Sequence, residues 1–228
     1  GTTAEFAALS VAERVTSIEV IVDEASGRVP IIANIAMPST ALTIDFGSTI
    51  GGIANAVAAT PPYYYPHSQR EIKDHYRRIQ DALTVPVWVY NIPQMHKTAV
   101  APDTLADLAD EGVVEGVKDS SGAGELLAAL HVLRATRGFE LMLTLGTAQR
   151  ATTAFALGAQ GIVPGLANAI PAIFARAWAA GHAGDSETVR ACDELIAIAM
   201  GLQTLGNAGM SAQGAVYAGL KATLVEIG

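Results

Sequence analysis

The chain has 228 residues, half of them hydrophobic and 16% charged, with a formal net charge of -8. That is enough apolar material for one large core in a single domain spanning residues 1–228, while the negative balance, with no Lys/Arg cluster to offset it, argues against nucleic acid and anionic membrane as partners. No apolar run approaches the roughly 18 residues needed to cross a bilayer and the N-terminus carries no signal-like segment, so a soluble, cytoplasmic protein is expected.

The chain opens on Gly-Thr-Thr-Ala-Glu. Two adjacent hydroxyls, Thr2 and Thr3, with backbone N–H groups beside them read either as a simple turn or as a cradle for a carboxylate. Ser10 and Glu13 then make an S-x-x-E capping box, and Val11, Val15, Ile18 and Val22 fall on one face before Gly27. This predicts an amphipathic helix whose apolar stripe packs on a sheet. Six short β-branched runs follow, at 30–37, 53–59, 85–91, 113–118, 140–145 and 160–165. They are continuously apolar rather than alternating, as parallel strands covered on both faces are. Helical patterns lie between and after them, at 39–51, 68–82, 102–110, 122–136, 147–157, 171–182, 185–204 and 210–226.

Repeated βα units of this kind build either a doubly wound sheet or a barrel, and periodicity alone does not choose. No Gly-rich phosphate-binding motif follows a predicted strand, which weakens a nucleotide-binding reading. Tyr90, Lys118 and Gly146 sit at or just past the C-terminal ends of successive predicted strands, where a (β/α)8 TIM barrel keeps its chemistry.

Lys118 closes the run VVEGVK and precedes a polar turn, Asp119-Ser120-Ser121-Gly122. An imine-forming amine must be neutral, and in water only roughly one in a few thousand is at pH 7, so such chemistry needs an apolar, desolvating site. A lysine snorkelling to the surface is the plainer reading of the same residue. Tyr90, 28 residues upstream in VWVYNIP, ends the preceding predicted strand. A phenol there either moves protons beside the amine or simply packs as a strand aromatic. Tyr63, Tyr64 and Tyr65 lie in one loop, open to a proton-relay reading and to an aromatic-interface reading. Cys192 is the one cysteine, in a helical setting, and reads as a buried inert thiol. The five histidines show no metal-ligand spacing, and nothing argues for a metal or other cofactor.

Four segments in order, GTTAE at 1–5, TPPYY at 60–64, YNIP at 90–93 and GVKDSSG at 116–122, resemble the dihydrodipicolinate synthase / N-acetylneuraminate lyase family of pyruvate-type class I aldolases. GIVPGLAN at 161–168 and GLKATLVEIG at the end extend the resemblance over essentially the whole chain. It implies a TIM barrel with Lys118 as the imine-forming lysine, Tyr90 as the central proton-transfer residue, and Thr2 and Thr3 as carboxylate binders. It further implies Tyr64 as a relay tyrosine reaching into a partner subunit, so a homodimer or homotetramer, with Gly146 and Val163 lining the pocket. The implied activity is aldol cleavage or condensation of a 2-keto acid with an aldehyde; a dehydratase using the same imine and a non-catalytic keto-acid-binding barrel are the alternatives.

The departures bear on substrate. Met95 stands where synthases of lysine biosynthesis carry an arginine that binds a second carboxylate, which argues against aspartate semialdehyde. Thr147-Ala148 lacks the acidic residue of sugar-acid members. Gln94, His96 and Lys97 either meet the variable end of the substrate or face solvent. Ala4 replaces the glycine of the G-T-T-G-E motif, which matters if that position needs a positive φ. Relative to the family pattern the first two strands and the final helical segment are expected to be missing, with 185–228 beginning a C-terminal helical extension.

Overall fold

The computed structural model describes residues 1–122, 124–146, 151–204 and 209–227. They form two compact units, Gly1–Leu143 and Thr144–Gly228. The first begins with two 3-10 turns, Thr2–Ala4 and Phe6–Ala8, and continues α1 (Val11–Ala25), β1 (Ile32–Asn34), α2 (Thr40–Ile50), β2 (Ala56–Ala59), α3 (Gln69–Ala82) and β3 (Val87–Asn91). The short α4 (Pro93–His96), then α5 (Pro102–Asp110), β4 (Gly116–Asp119) and α6 (Glu125–Arg137) complete it, and β5 (Met142–Leu145) straddles the boundary. The second unit carries α7 (Ala151–Ala156), β6 (Gly161–Ile162), a 3-10 turn (Gly165–Asn168), α8 (Pro171–His182), α9 (Ser186–Ala199), a further 3-10 turn (Met200–Thr204) and α10 (Ala212–Ile227).

The strands follow one another in the sheet in chain order, and β1 with β2, β2 with β3, β3 with β4 and β5 with β6 pair in parallel. In the first unit Ala33 opposes Val57, Val57 opposes Val87, and Val89 opposes Val117. All five of these residues, Ala33 and the four valines, are 3% exposed or less and lie on the face that helices cover. Ile72, Ile79, Leu105, Leu108, Leu127 and Leu130 supply the helical side of this core, each fully buried. In the second unit Leu166, Phe174, Ile196 and Leu220 form a core of their own.

All six predicted strands are present, shortened to the residues that pair. The 3-10 turn at 165–168 and α4 escaped the periodicity because neither is long enough to carry one. The helix expected over 185–204 ends at Ala199 and tightens into a 3-10 turn containing Gly201, a residue costly to hold in an α-helix. The helix expected over 147–157 is seen from Ala151; its first four residues lie outside the described ones.

The stripe of α1 is the main departure in packing. Val11 is 47% exposed and Val15, Ile18 and Val22 are only half-buried. The buried residue of α1 is Arg14, 5% exposed. Its guanidinium lies over the rings of Phe46 (4.1 Å) and Phe6 (5.1 Å) and donates to the carbonyls of Asn34 (2.9 Å) and Ala36 (3.2 Å). Two cation–π contacts and two carbonyls thus take the place of a carboxylate partner. Ala4 needs no positive φ: the left-handed residue of the opening turn is Glu5, at φ 53°.

Candidate active site

β3 and β4 are in register with Tyr90 opposite Lys118 and Asn91 opposite Asp119. Alternation along a strand sends each pair to opposite faces of the sheet. On one face the Lys118 amine lies 4.3 Å from the centre of the Tyr90 ring, and the Tyr90 hydroxyl is hydrogen-bonded to Thr2 Oγ1 at 3.0 Å. Tyr90 is 5% exposed, while Lys118, Thr2 and Thr3 are half-buried. The structure therefore brings together Lys118, Tyr90 and Thr2, with Thr3 next to it in the same 3-10 turn.

The other face holds a pair that sequence reasoning missed. Asn91 and Asp119, 1% and 0% exposed, are joined by Asn91 Nδ2 donating to Asp119 Oδ1 at 2.9 Å. Asp119 Oδ1 also accepts from the Ser121 N–H, Asn91 Oδ1 from the Val100 N–H, and the Asn91 carbonyl from the Ser120 N–H. The ends of both strands and the loops that leave them are thereby tied one residue beyond Tyr90 and Lys118. Among the described residues Asp119 Oδ2 is buried without a hydrogen-bond partner, a costly arrangement in an otherwise satisfied network. The available signal was only that a polar residue follows each of the two chemistry-bearing positions.

The loop after Tyr90 turns back on itself. His96 is 0% exposed, and its Nε2 accepts from the Ile92 N–H at 2.8 Å, which places the ring proton on Nδ1. Burial lowers its pKa to about 4, so the ring is neutral. His96 is thus neither a solvent-facing residue nor a substrate contact as expected of it; it closes its own turn, and Lys97 caps that turn at φ 72° with its side chain exposed. Gln94 is exposed and reaches the carbonyls of Ser120 (3.3 Å) and Ser121 (3.4 Å), linking the β3 and β4 loops. Met95 is 43% exposed.

Tyr64 does not join the group within the chain. It is 75% exposed at φ 92°, and its ring meets Tyr65 edge-on at 4.9 Å. Gly146 and Val163 belong to the second unit, directly after β5 and β6; the Val163 N–H donates to the Leu145 carbonyl at 2.7 Å. Thr147 and Ala148 lie outside the described residues. Among the described residues no cluster of His, Cys, Asp or Glu is arranged to hold a metal, and no helix is long and apolar enough to cross a membrane.

The family model of the dihydrodipicolinate synthetase family matches residues 1–225. The chain belongs to that family. Members similar to it include an uncharacterized DapA-like lyase of Halobacterium salinarum, 33% identical over 198 residues, which cover 84% of this chain and 62% of that protein. A 4-hydroxy-tetrahydrodipicolinate synthase of Acidithiobacillus ferrooxidans is also 33% identical, over 192 residues covering 84% of this chain and 65% of that one. The chain thus spans somewhat under two thirds of the length of these relatives. Among solved structures, the dihydrodipicolinate synthase of Bacteroides thetaiotaomicron superposes with a TM-score of 0.90 at 28% identity, covering 100% of this chain and 76% of that one. The chloride-inhibited dihydrodipicolinate synthase of Acinetobacter baumannii, complexed with pyruvate, gives 0.86 at 25% identity, covering 100% and 75%. The fold of the family is a TIM barrel, and the six parallel strands found here are part of such a barrel.

Proposed function

We propose that this chain carries the imine-forming centre of a class I lyase acting on 2-keto acids, joining pyruvate to an aldehyde or releasing the two. The observation that carries the reading is the Lys118 amine seated over the Tyr90 ring while the Tyr90 hydroxyl is held by Thr2. In the proposed cycle the neutral amine of Lys118 attacks the keto carbon, and Tyr90 passes the nitrogen's proton to the new carbinolamine oxygen. Tyr90 then gives its own proton to that oxygen, water leaves with the nitrogen keeping its hydrogen as the protonated imine, and the phenolate left behind takes the proton released in the next step. Loss of a proton from the adjacent carbon gives an enamine, whose carbon attacks an aldehyde; the reverse sequence cleaves the bond. Thr2 and Thr3 hold the keto-acid carboxylate through hydroxyl and backbone donors, and Gly146 and Val163 are assigned to substrate binding from the family resemblance alone.

Tyr64, exposed in its own chain, is assigned to the site of a partner subunit as the relay between Tyr90 and solvent, in a homodimer or homotetramer. The similarity to a pyruvate-bound synthase supports pyruvate as the keto acid. Met95 offers no guanidinium, so the aldehyde partner is one without a second carboxylate to bind. We further infer one eight-stranded barrel for the whole protein, in keeping with a family match that runs through both units.

Incubation with pyruvate and borohydride should reduce the imine and add the pyruvate-derived mass at Lys118, with Lys118→Ala showing none. A folded protein that gains no adduct would overturn the reading. Product analysis with a panel of aldehydes and keto acids then separates lyase from dehydratase.

A further inference from the structure

One step down the same two strands lies a second pairing of unequal residues. Trp88 opposes Gly116, directly beneath the Tyr90–Lys118 pair and, by strand alternation, on the same face. A Cβ built on Gly116 would stand 2.6, 2.6 and 2.7 Å from the indole Cδ2, Cε3 and Cε2. Real side chains do not approach so closely, so the indole lies flat across the backbone of β4 and occupies the space that any other residue at 116 would fill. Trp88 is 8% exposed, and on its other side β2 presents only the methyl of Ala58, its register partner. Two positions are thus committed to laying one broad aromatic surface on this face, one step along the strands from the Tyr90–Lys118 pair.

We infer that Trp88 is a positioning residue for the imine: its indole, seated on Gly116, is the dry floor beneath Lys118 that keeps water from the amine and from the iminium nitrogen. This rests on the imine reading above. The chemistry requires such a surface, because carbinolamine formation needs the uncharged amine and its dehydration is opposed by water at the nitrogen. A tryptophan covers some 150–250 Å² of apolar area, more than any aliphatic residue could lay in the same place. Its partner must be glycine, since even an alanine methyl would sit inside the ring.

Two measurements on the full chain test this. The chain has two tryptophans, Trp88 and Trp178, so Trp178→Phe leaves Trp88 as the sole reporter. Pyruvate should then change its emission with the same concentration dependence as the borohydride-trapped fraction, and Lys118→Ala should abolish the change. Trp88→Ala should slow trapping at saturating pyruvate about tenfold or more, with the half-saturating concentration moved less than about threefold, and Trp88→Phe should recover most of the loss. If Trp88→Ala does not fold, Trp88→Phe and the emission response decide. Absence of any adduct on the unaltered chain overturns the imine reading and this role together. An adduct on the unaltered chain, with trapping unchanged in folded Trp88→Ala or with emission indifferent to pyruvate, overturns this role alone.

Discussion

Tyr90 and Lys118 draw their geometry from the residues that follow them. Asn91 and Asp119 face away from the proposed chemistry, yet each fixes the strand end on which a reactive side chain sits. Asn91→Ala would remove a donor from a fully buried carboxylate already short of partners, and should destabilise the chain by about 2 kcal/mol. Urea unfolding measures it, and an unchanged midpoint would contradict the account. The contrast between these residues shows what a sequence discloses at this scale. Tyr90 and Lys118 are legible because a phenol and an amine closing two apolar runs invite a chemical question. Asn91, Asp119 and His96 are not, since their roles depend on which face a strand presents and on a loop that doubles back, and neither is written in residue type. Trp88 was hidden for a different reason: an aromatic in a strand reads as core until the glycine opposite it is known.

The helices were the most legible part, because their ends are chemical statements. Ser10 with Glu13 and Ser68 with Glu71 form complete capping boxes, the serine side chain accepting from the N3 backbone while the glutamate reaches back to the cap. Ser39 caps α2 alone, accepting from the Leu42 N–H. Ser39→Ala should therefore cost about 1 kcal/mol, readable as a drop in thermal midpoint. The stripe of α1 was misjudged because periodicity says which residues share a face and not what stands opposite. The residue of α1 that the fold does bury is Arg14, whose long stem and flat cation reach Phe46 and the Asn34 carbonyl. Between the outer helices Asp107 of α5 receives Lys73 of α3 (3.0 Å) and Arg137 of α6 (2.9 Å), a charged seam over the core.

For the whole molecule, two buried histidines set an acid limit. Burial lowers His75, 2% exposed, to about 4, and His96 likewise. Both fall below the unfolded value of 6.5, so between pH 6.5 and about 4 the unfolded chain binds more protons and stability declines as pH is lowered. The contribution is intact above that window and fully lost below it, roughly 3 kcal/mol for each ring. Unfolding midpoints at pH 7 and pH 4.5 should differ accordingly, and His75→Gln should flatten the difference. Shared sites would show in mixed assemblies: Lys118→Ala and Tyr64→Phe chains, each inactive alone, should on random pairing recover about a quarter of full activity, because half the dimers then hold one intact site of two. No recovery after subunit exchange would refute the assignment of Tyr64. That tyrosine carries a cost: a bulky residue at φ 92° loses about 1–3 kcal/mol, and three-quarters of its surface gains nothing from its own chain. In a lineage released from catalysis, this is the position expected to drift first to glycine or asparagine. If the proposed relay holds, a tyrosine kept at this strained position would mark a descendant whose sites are still shared between subunits.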